Sequence, residues 1–225
     1  MSYDPGVVRE RKDADVRRIE ILDATIAQIE EHGTALLRIA DVAAALQVSP
    51  ALVVYHFQTK EDLIAQAFAT AAQRDLDTLV QLTEASGSAL ERLRVALAWY
   101  APTGRAKGWR LWIEGWAEGL RQPILQQVGS DFDVAWRAAL ISIIDEGVAV
   151  GQFATEDAVG AAWRITALLD GLAVQVIVHN GLVSRDQLIG WTMQMVAYEL
   201  SIEPDPVAVQ RAEEAVAVGT ASSSN

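Results

Sequence analysis

The sequence predicts an all-α fold, with an N-terminal three-helix unit carrying a helix-turn-helix and a C-terminal helical bundle. Three observations predict it. Ala, Leu, Glu, Gln and Arg recur along the 225 residues with only 6 Pro among them, which favours helix. Apolar residues return at spacings of three and four, the period of one helix face. The pattern stops at Gly, Pro and Ser positions that punctuate helices.

Helix 1 is expected from about Ala14 to Glu31, with Ile19, Leu22, Ile26 and Ile29 as its apolar stripe. Gly33 follows as a residue that accepts positive φ without steric cost. Helix 2 is expected from Arg38 to Leu46, with Ile39, Val42, Ala43 and Leu46 facing inward. Gln47 and Val48 form a tight turn, Ser49 caps the next helix by accepting from the Leu52 amide, and Pro50 suits the first helical position. Helix 3 is short, about Pro50 to His56. Thr59 caps helix 4, with Asp62 three residues on, and helix 4 runs to about Thr83. Further helices are expected at 89–101, 107–121, 124–150, 155–180 and 184–201. Pro102, Pro123, Gly151 and Gly181 separate them, and a short terminal helix is expected at 207–218. Along the chain, the break at Ser86, Gly87 and Ser88 reads as a boundary. By role, the expected division is 1–62 for the helix-turn-helix domain, 63–202 for the bundle, and 203–225 for a linker, the short helix and a disordered tail.

Composition narrows the function classes. The chain has no Cys, which excludes disulfides, thiolate metal sites and thiol catalysis. Its three His residues, His32, His56 and His179, are far apart and form no metal-ligand pair. No Gly-rich phosphate loop, nucleophile elbow or acid pair appears, so no enzyme, cofactor or metal is expected. The polar N-terminus lacks a secretory h-region, and the apolar run near Ala167 to Val178 is broken by Asp170 and reads as too short to span a bilayer. A cytoplasmic protein without membrane partners is the expectation.

The net charge of −12 is unevenly spread. Residues 1–60 carry seven Lys/Arg and nine Asp/Glu; residues 61–225 carry eleven and twenty-one. Arg9, Arg11, Lys12, Arg17 and Arg18 cluster near the start of helix 1, where they read either as phosphate neutralisers or as a solvated terminus.

Two short helices joined by a tight turn, the second opened by Ser-Pro, make the geometry that puts a recognition helix into a DNA major groove. The free amides at its start suit anions, and the small Pro50 and Ala51 let the backbone come close. The run from Ile39-Ala40 through Val48-Ser49-Pro50 and Tyr55-His56-Phe57 to Lys60-Glu61-Asp62-Leu63 resembles the TetR-family signature. The likeness is tight over about residues 16–65. Beyond residue 85 it is architectural, with a weaker likeness to the BetI-like group carried by Trp112-Ile113-Glu114-Gly115-Trp116 and Leu169-Asp170-Gly171-Leu172.

The resemblance implies a role for each matching position. Ser49, Pro50, Ala51 and Leu52 open the recognition helix, Tyr55 and His56 reach backbone or bases, Phe57 is the buried anchor, and Lys60 meets a phosphate. Three positions depart from the family pattern. Gln47 stands where the turn usually has Gly, so positive φ is expected there at some strain. Val54 replaces a Tyr, removing a phosphate contact. Arg38 replaces a capping Thr and offers a charged phosphate contact instead.

In the C-terminal part, Trp109, Trp112 and Trp116 share one helical face, with Trp136, Trp163 and Trp191 on later helices. They are either plain core or the walls of a ligand pocket between helices, for which Trp109, Trp112, Trp116, Trp136 and Trp163 are the candidates. With carboxylates from Glu114, Glu118 or Asp145, such walls suit a cation; flat aromatic and lipid-like effectors stay open. The segment 158–179 is apolar nearly all round, and 188–200 has a broad apolar stripe. Helices 155–180 and 184–201 are therefore expected to pair with their copies in a homodimer. The expected function is a ligand-responsive regulator that binds a palindromic duplex DNA operator, with repression the family's usual mode and release by a small-molecule effector. The rival is a ligand or lipid binder on the same fold that has lost DNA binding.

Overall fold

A computed structural model describes residues 14–102, 108–179 and 182–203. Arg9, Arg11, Lys12 and the terminal helix expected at 207–218 lie outside them. The described residues form helices and connections without strands: α1 (Ala14–His32), α2 (Ile39–Ala45), α3 (Pro50–Phe57), α4 (Lys60–Thr83), α5 (Ala89–Tyr100), α6 (Trp109–Gly119), α7 (Pro123–Ala149), α8 (Ala158–Val178) and α9 (Arg185–Glu199). The chain divides into two compact units between Thr70 and Ala71, inside α4. That point is neither the expected 62/63 division nor the break at 86–88, because one uninterrupted helix serves both units. Ser86–Ser88 is only a loop of the second.

The first unit is built on α1, α2, α3 and the start of α4. Ile21, Ile29, Val42, Val53, Phe57, Leu63 and Phe68 are buried at its centre. Each such side chain contributes roughly 1.5–3 kcal/mol by leaving water. The stripe of α1 is turned from the expected one: Ile21 is fully buried and Ile19 is exposed. The helix therefore presents Ile21, Leu22, Thr25 and Ile29 inward. The Thr25 hydroxyl is satisfied by donating to the Ile21 carbonyl at 2.7 Å.

In the second unit, Ser88 and Glu91 form a reciprocal capping box at the start of α5, and Ser184 and Gln187 do the same for α9. α8 begins three residues later than expected, where Asp157 accepts from the Gly160 amide at 2.8 Å. α7 lies against α5, α6 and α8, and α8 against α9. The core joins Leu93, Leu97, Trp136, Leu140, Ile144, Ile165, Leu169, Leu188 and Leu200. Phe153 packs onto Gly147 so closely that a Cβ there would meet the ring at 2.1 Å, which is why α7 carries glycine at that turn.

One expectation about α8 is corrected. At 21 residues it is long and apolar enough, by composition alone, to cross a membrane. Part of its apolar content is used in packing: Ala161, Ala162, Ile165, Leu169 and Ala173 are buried in the bundle, while Val159, Trp163 and Val178 are exposed. Arg164 donates through Nε and Nη2 to both Glu199 oxygens, each at 2.6 Å, a fork that ties α8 to α9.

Candidate nucleic-acid interface and internal cavity

The connection from Leu46 to Ser49 turns the chain by 113° between α2 and α3, within the range of helix-turn-helix units. Gln47 makes the turn at φ 56, the left-handed conformation that a family glycine would adopt without strain. Ser49 accepts from the Leu52 amide at 3.3 Å, and Pro50 occupies the first helical position. Thr59 accepts from the Asp62 amide at 3.0 Å and so caps α4.

These features divide α3 into two faces. Val53 and Phe57 point into the core, while Ser49, Pro50, Ala51, Val54 and Tyr55 are exposed. Tyr55 is 79% exposed and meets the His56 ring edge-on at 5.3 Å. Tyr55 is thus exposed on the same short helix as Ser49, Pro50 and Ala51 at its start. Leu52, His56 and Lys60 are half-buried at the border of that face. Arg38 stands exposed at the N-cap of α2 and makes no side-chain capping bond.

Of the basic cluster at helix 1, only Arg17 and Arg18 lie among the described residues. Arg17 pairs with Glu20 at 2.7 Å. Arg18 turns inward, donating to the His56 carbonyl and stacking over the Phe57 ring.

A separate site lies within the second unit. A cavity of about 230 Å³ is lined by Asp75 of α4, Trp99, Tyr100 and Ala101 at the end of α5, and Gly108, Trp109 and Trp112 at the start of α6. Behind this wall Tyr100 stacks on Trp136 at 4.3 Å, Trp112 stacks on Phe132 at 4.3 Å, and Trp116 meets Trp109 edge-on at 5.9 Å. Three side-chain hydrogens of the wall are spent inside it. Trp109 Nε1 donates to the Tyr100 carbonyl at 2.6 Å, Trp112 Nε1 to Asp75 Oδ2 at 3.2 Å, and the Tyr100 hydroxyl to Asp170 Oδ1 at 3.2 Å.

The electrostatics around the cavity are acidic. Burial pushes the Asp170 carboxyl up to about 7, aided by the nearby Asp133 charge and opposed by the Tyr100 hydrogen bond and Arg137. Burial also raises Asp133, against the pull of Arg137. The Tyr100 hydroxyl is held well above the usual phenol range by its own burial and by Asp170, Asp133 and Asp75.

Of the five candidate tryptophans, Trp109 and Trp112 line the cavity, and Trp116 and Trp136 pack behind it. Trp163 does not join them: it is 53% exposed on α8, with the Arg137 guanidinium 3.7 Å from its ring centre. The carboxylate in the wall is Asp75, not Glu114, Glu118 or Asp145. Asp75, Trp99 and Tyr100 were missed because α4 and α5 show only their own periodicity in the sequence, and periodicity does not say which helices face each other.

Comparison with known proteins adds to this geometry. The profile described as BetI-type transcriptional repressor, C-terminal, matches residues 89–201, and that of bacterial regulatory proteins, tetR family, matches residues 21–67. The HTH-type transcriptional regulator BetI of Escherichia coli K12 is 27% identical over 192 residues, covering 82% of this chain and 94% of that protein. A transcriptional regulator from Saccharomonospora viridis, solved in complex with choline, is 26% identical with a TM-score of 0.78, covering 83% of this chain and 98% of that one. The regulator FadR from Bacillus subtilis, solved with stearoyl-CoA, shares the fold at 19% identity and a TM-score of 0.62, covering 81% and 97%.

Proposed function

Because the chain belongs to the TetR family of bacterial regulatory proteins and carries a BetI-type C-terminal domain, we propose that it is a cytoplasmic repressor that binds a palindromic operator as a homodimer and lets go when a small alkylated ammonium ion enters the α4–α5–α6 cavity. The observation that carries the effector class is the makeup of the wall: the aromatic rings of Trp99, Tyr100, Trp109 and Trp112 together with Asp75. Aromatic faces attract a cation, by about 2 kcal/mol or more once it is desolvated. The Trp109 and Trp112 indole hydrogens and the Tyr100 hydroxyl already have acceptors. An anionic ligand would find a carboxylate there and no spare donor from these rings. At about 230 Å³ the cavity falls below the ~300–1,000 Å³ of drug-sized sites, which suits a compact cation over a long acyl chain. The choline bound to the Saccharomonospora viridis relative supports the same class.

On the DNA side, Ser49, Pro50, Ala51, Leu52, Tyr55 and His56 are the proposed reading residues, with Lys60 and Arg38 on phosphates. α8 and α9 are the proposed dimer helices, since Val159, Trp163, Val178 and Tyr198 stay exposed on them. A two-fold pair would present its recognition helices about 34 Å apart or in multiples of that. α4 carries Asp75 and also follows directly on the reading head, so a ligand pressing on α4 bears on the half-site spacing. It does so only as far as it prefers the non-binding state.

Two measurements test this. Choline or tetramethylammonium is expected to quench the intrinsic tryptophan fluorescence and raise Tm, and Asp75→Asn is expected to weaken that binding about tenfold, or ~1.4 kcal/mol. No quenching and no thermal shift at millimolar ligand would discard the effector class. Selection from random duplex DNA is expected to recover an inverted repeat. Lys60→Ala should then weaken all duplexes alike and lower the slope of log affinity against log salt by about 0.9. The −12 charge favours a ligand binder that no longer reads DNA. That rival predicts no recovered sequence and no steep salt dependence.

A further inference from the structure

Arg18 sits at the meeting point of three helices of the first unit. Its Nη1 donates to the His56 carbonyl at 2.7 Å, its Nη2 donates to Gln66 Oε1, and its guanidinium carbon lies 4.4 Å from the centre of the Phe57 ring. Gln66 in turn donates from Nε2 to Asp62 Oδ1 at 2.7 Å, and the Asp62 amide donates to the Thr59 cap at 3.0 Å. One guanidinium therefore joins α1 to the last turn of α3 and, through Gln66, to the first turn of α4.

That last turn needs such a partner. α3 has only eight residues, so the carbonyls that a helix end leaves without intrahelical donors are a large share of its total. They also carry the negative end of the helix dipole, which a cation satisfies. The helix stops abruptly at Gln58, at φ 51. In backbone terms α3 packs mainly on α2, which leaves its far end to be held by side chains.

We propose that Arg18 is the positioning residue of the reading head: it fixes the angle at which α3 offers its exposed face to base edges, and it does not itself neutralise a phosphate. The geometry is specific to arginine. A planar fork can donate to two acceptors while its face lies on an aromatic ring, whereas an ammonium is a point charge that cannot do all three. Arg18 holds the scaffold while Tyr55 and the Ser49–Leu52 segment face outward. Its loss should change which sequences are preferred before it changes how strongly DNA attracts the protein.

This inference rests on the DNA-reading role proposed above, and the test separates the two. The full-length protein, Arg18→Met and Arg18→Lys are titrated against the selected duplex and a scrambled one across a salt series, well below the Tm of each. Both variants are expected to lose about tenfold on the selected duplex, with scrambled-duplex affinity and salt slope unchanged. An equal loss on both duplexes, a slope lowered by about 0.9, or full rescue by Arg18→Lys would mark a phosphate contact and overturn the inference. A role confined to stability would lower Tm and leave the selected-to-scrambled ratio at the wild-type value, which also overturns it. Gln66→Met carries no charge change and should lose a few-fold in the same pattern. Should Arg18→Met fail to fold, an unchanged ratio in Gln66→Met overturns the inference alone. A wild-type protein that fails to distinguish the two duplexes overturns the reading-head role together with it.

Discussion

Asp170→Asn is expected to stabilise the protein at pH 8 by up to about 4 kcal/mol while changing little near pH 4. Asp170 is half-buried beside Tyr100, Asp133 and Arg137, and desolvation holds its proton up to about pH 7, whereas in the unfolded chain it ionises near 3.9. Between those values the native state binds more protons than the unfolded one, so wild-type stability falls as pH rises, by about 1.4 kcal/mol per unit, and levels off above 7. Asparagine keeps an oxygen to accept from the Tyr100 hydroxyl and never ionises, so it removes the decline. Thermal melts of the two proteins at pH 5 and pH 8 check this, with the gap widening toward pH 8; parallel curves would rule it out. A cation in the neighbouring cavity favours ionised Asp170, so its binding should release protons near neutral pH.

Phe57→Ala is expected to remove 3–5 kcal/mol, the usual range for deleting a large buried ring. The Phe57 ring is buried to 1% exposure and also supports the Arg18 guanidinium. The first unit is small, and at ~0.05–0.15 kcal/mol per residue its whole stability is of the same size as that loss. The variant should therefore lose DNA binding and part of its helicity. Every one of the seven tryptophans lies at residue 99 or later, so tryptophan emission should continue to report an intact second unit. Circular dichroism that falls while tryptophan emission and choline response persist is the expected signature. Loss of both together would mean that the two units do not melt separately.

The elements that local chemistry decides were readable from sequence. The Ser49–Pro50 start of α3 and the Thr59 cap follow from residues within a turn of each other, the left-handed Gln47 follows from the resemblance that puts a glycine at that position, and the structure has each of them. Helix boundaries at Gly33, Pro123 and Gly151 were readable from such local residues too, while Gly181 lies outside the described residues. What could not be read was pairing at a distance. Arg18 looks like one more basic residue at a terminus until its partners, 38 and 48 residues away, are known. Tyr100 and Asp170 are 70 residues apart. Trp163 has the same composition signal as Trp136, yet one helix phase leaves it outside while the other is buried to 1% exposure. The stripe of α1 shows the same limit on a smaller scale, since Ile19 and Ile21 are equally apolar and only packing decides between them.

The division between the units falls between Thr70 and Ala71, with α4 intact from Lys60 to Thr83. A gene fragment ending at that division would sever a helix in mid-course and leave raw carbonyls on its stump. Anyone excising the head for crystallography or for fusion to another sensor should keep the chain through the loop at Ser86, where nature already supplies a stop.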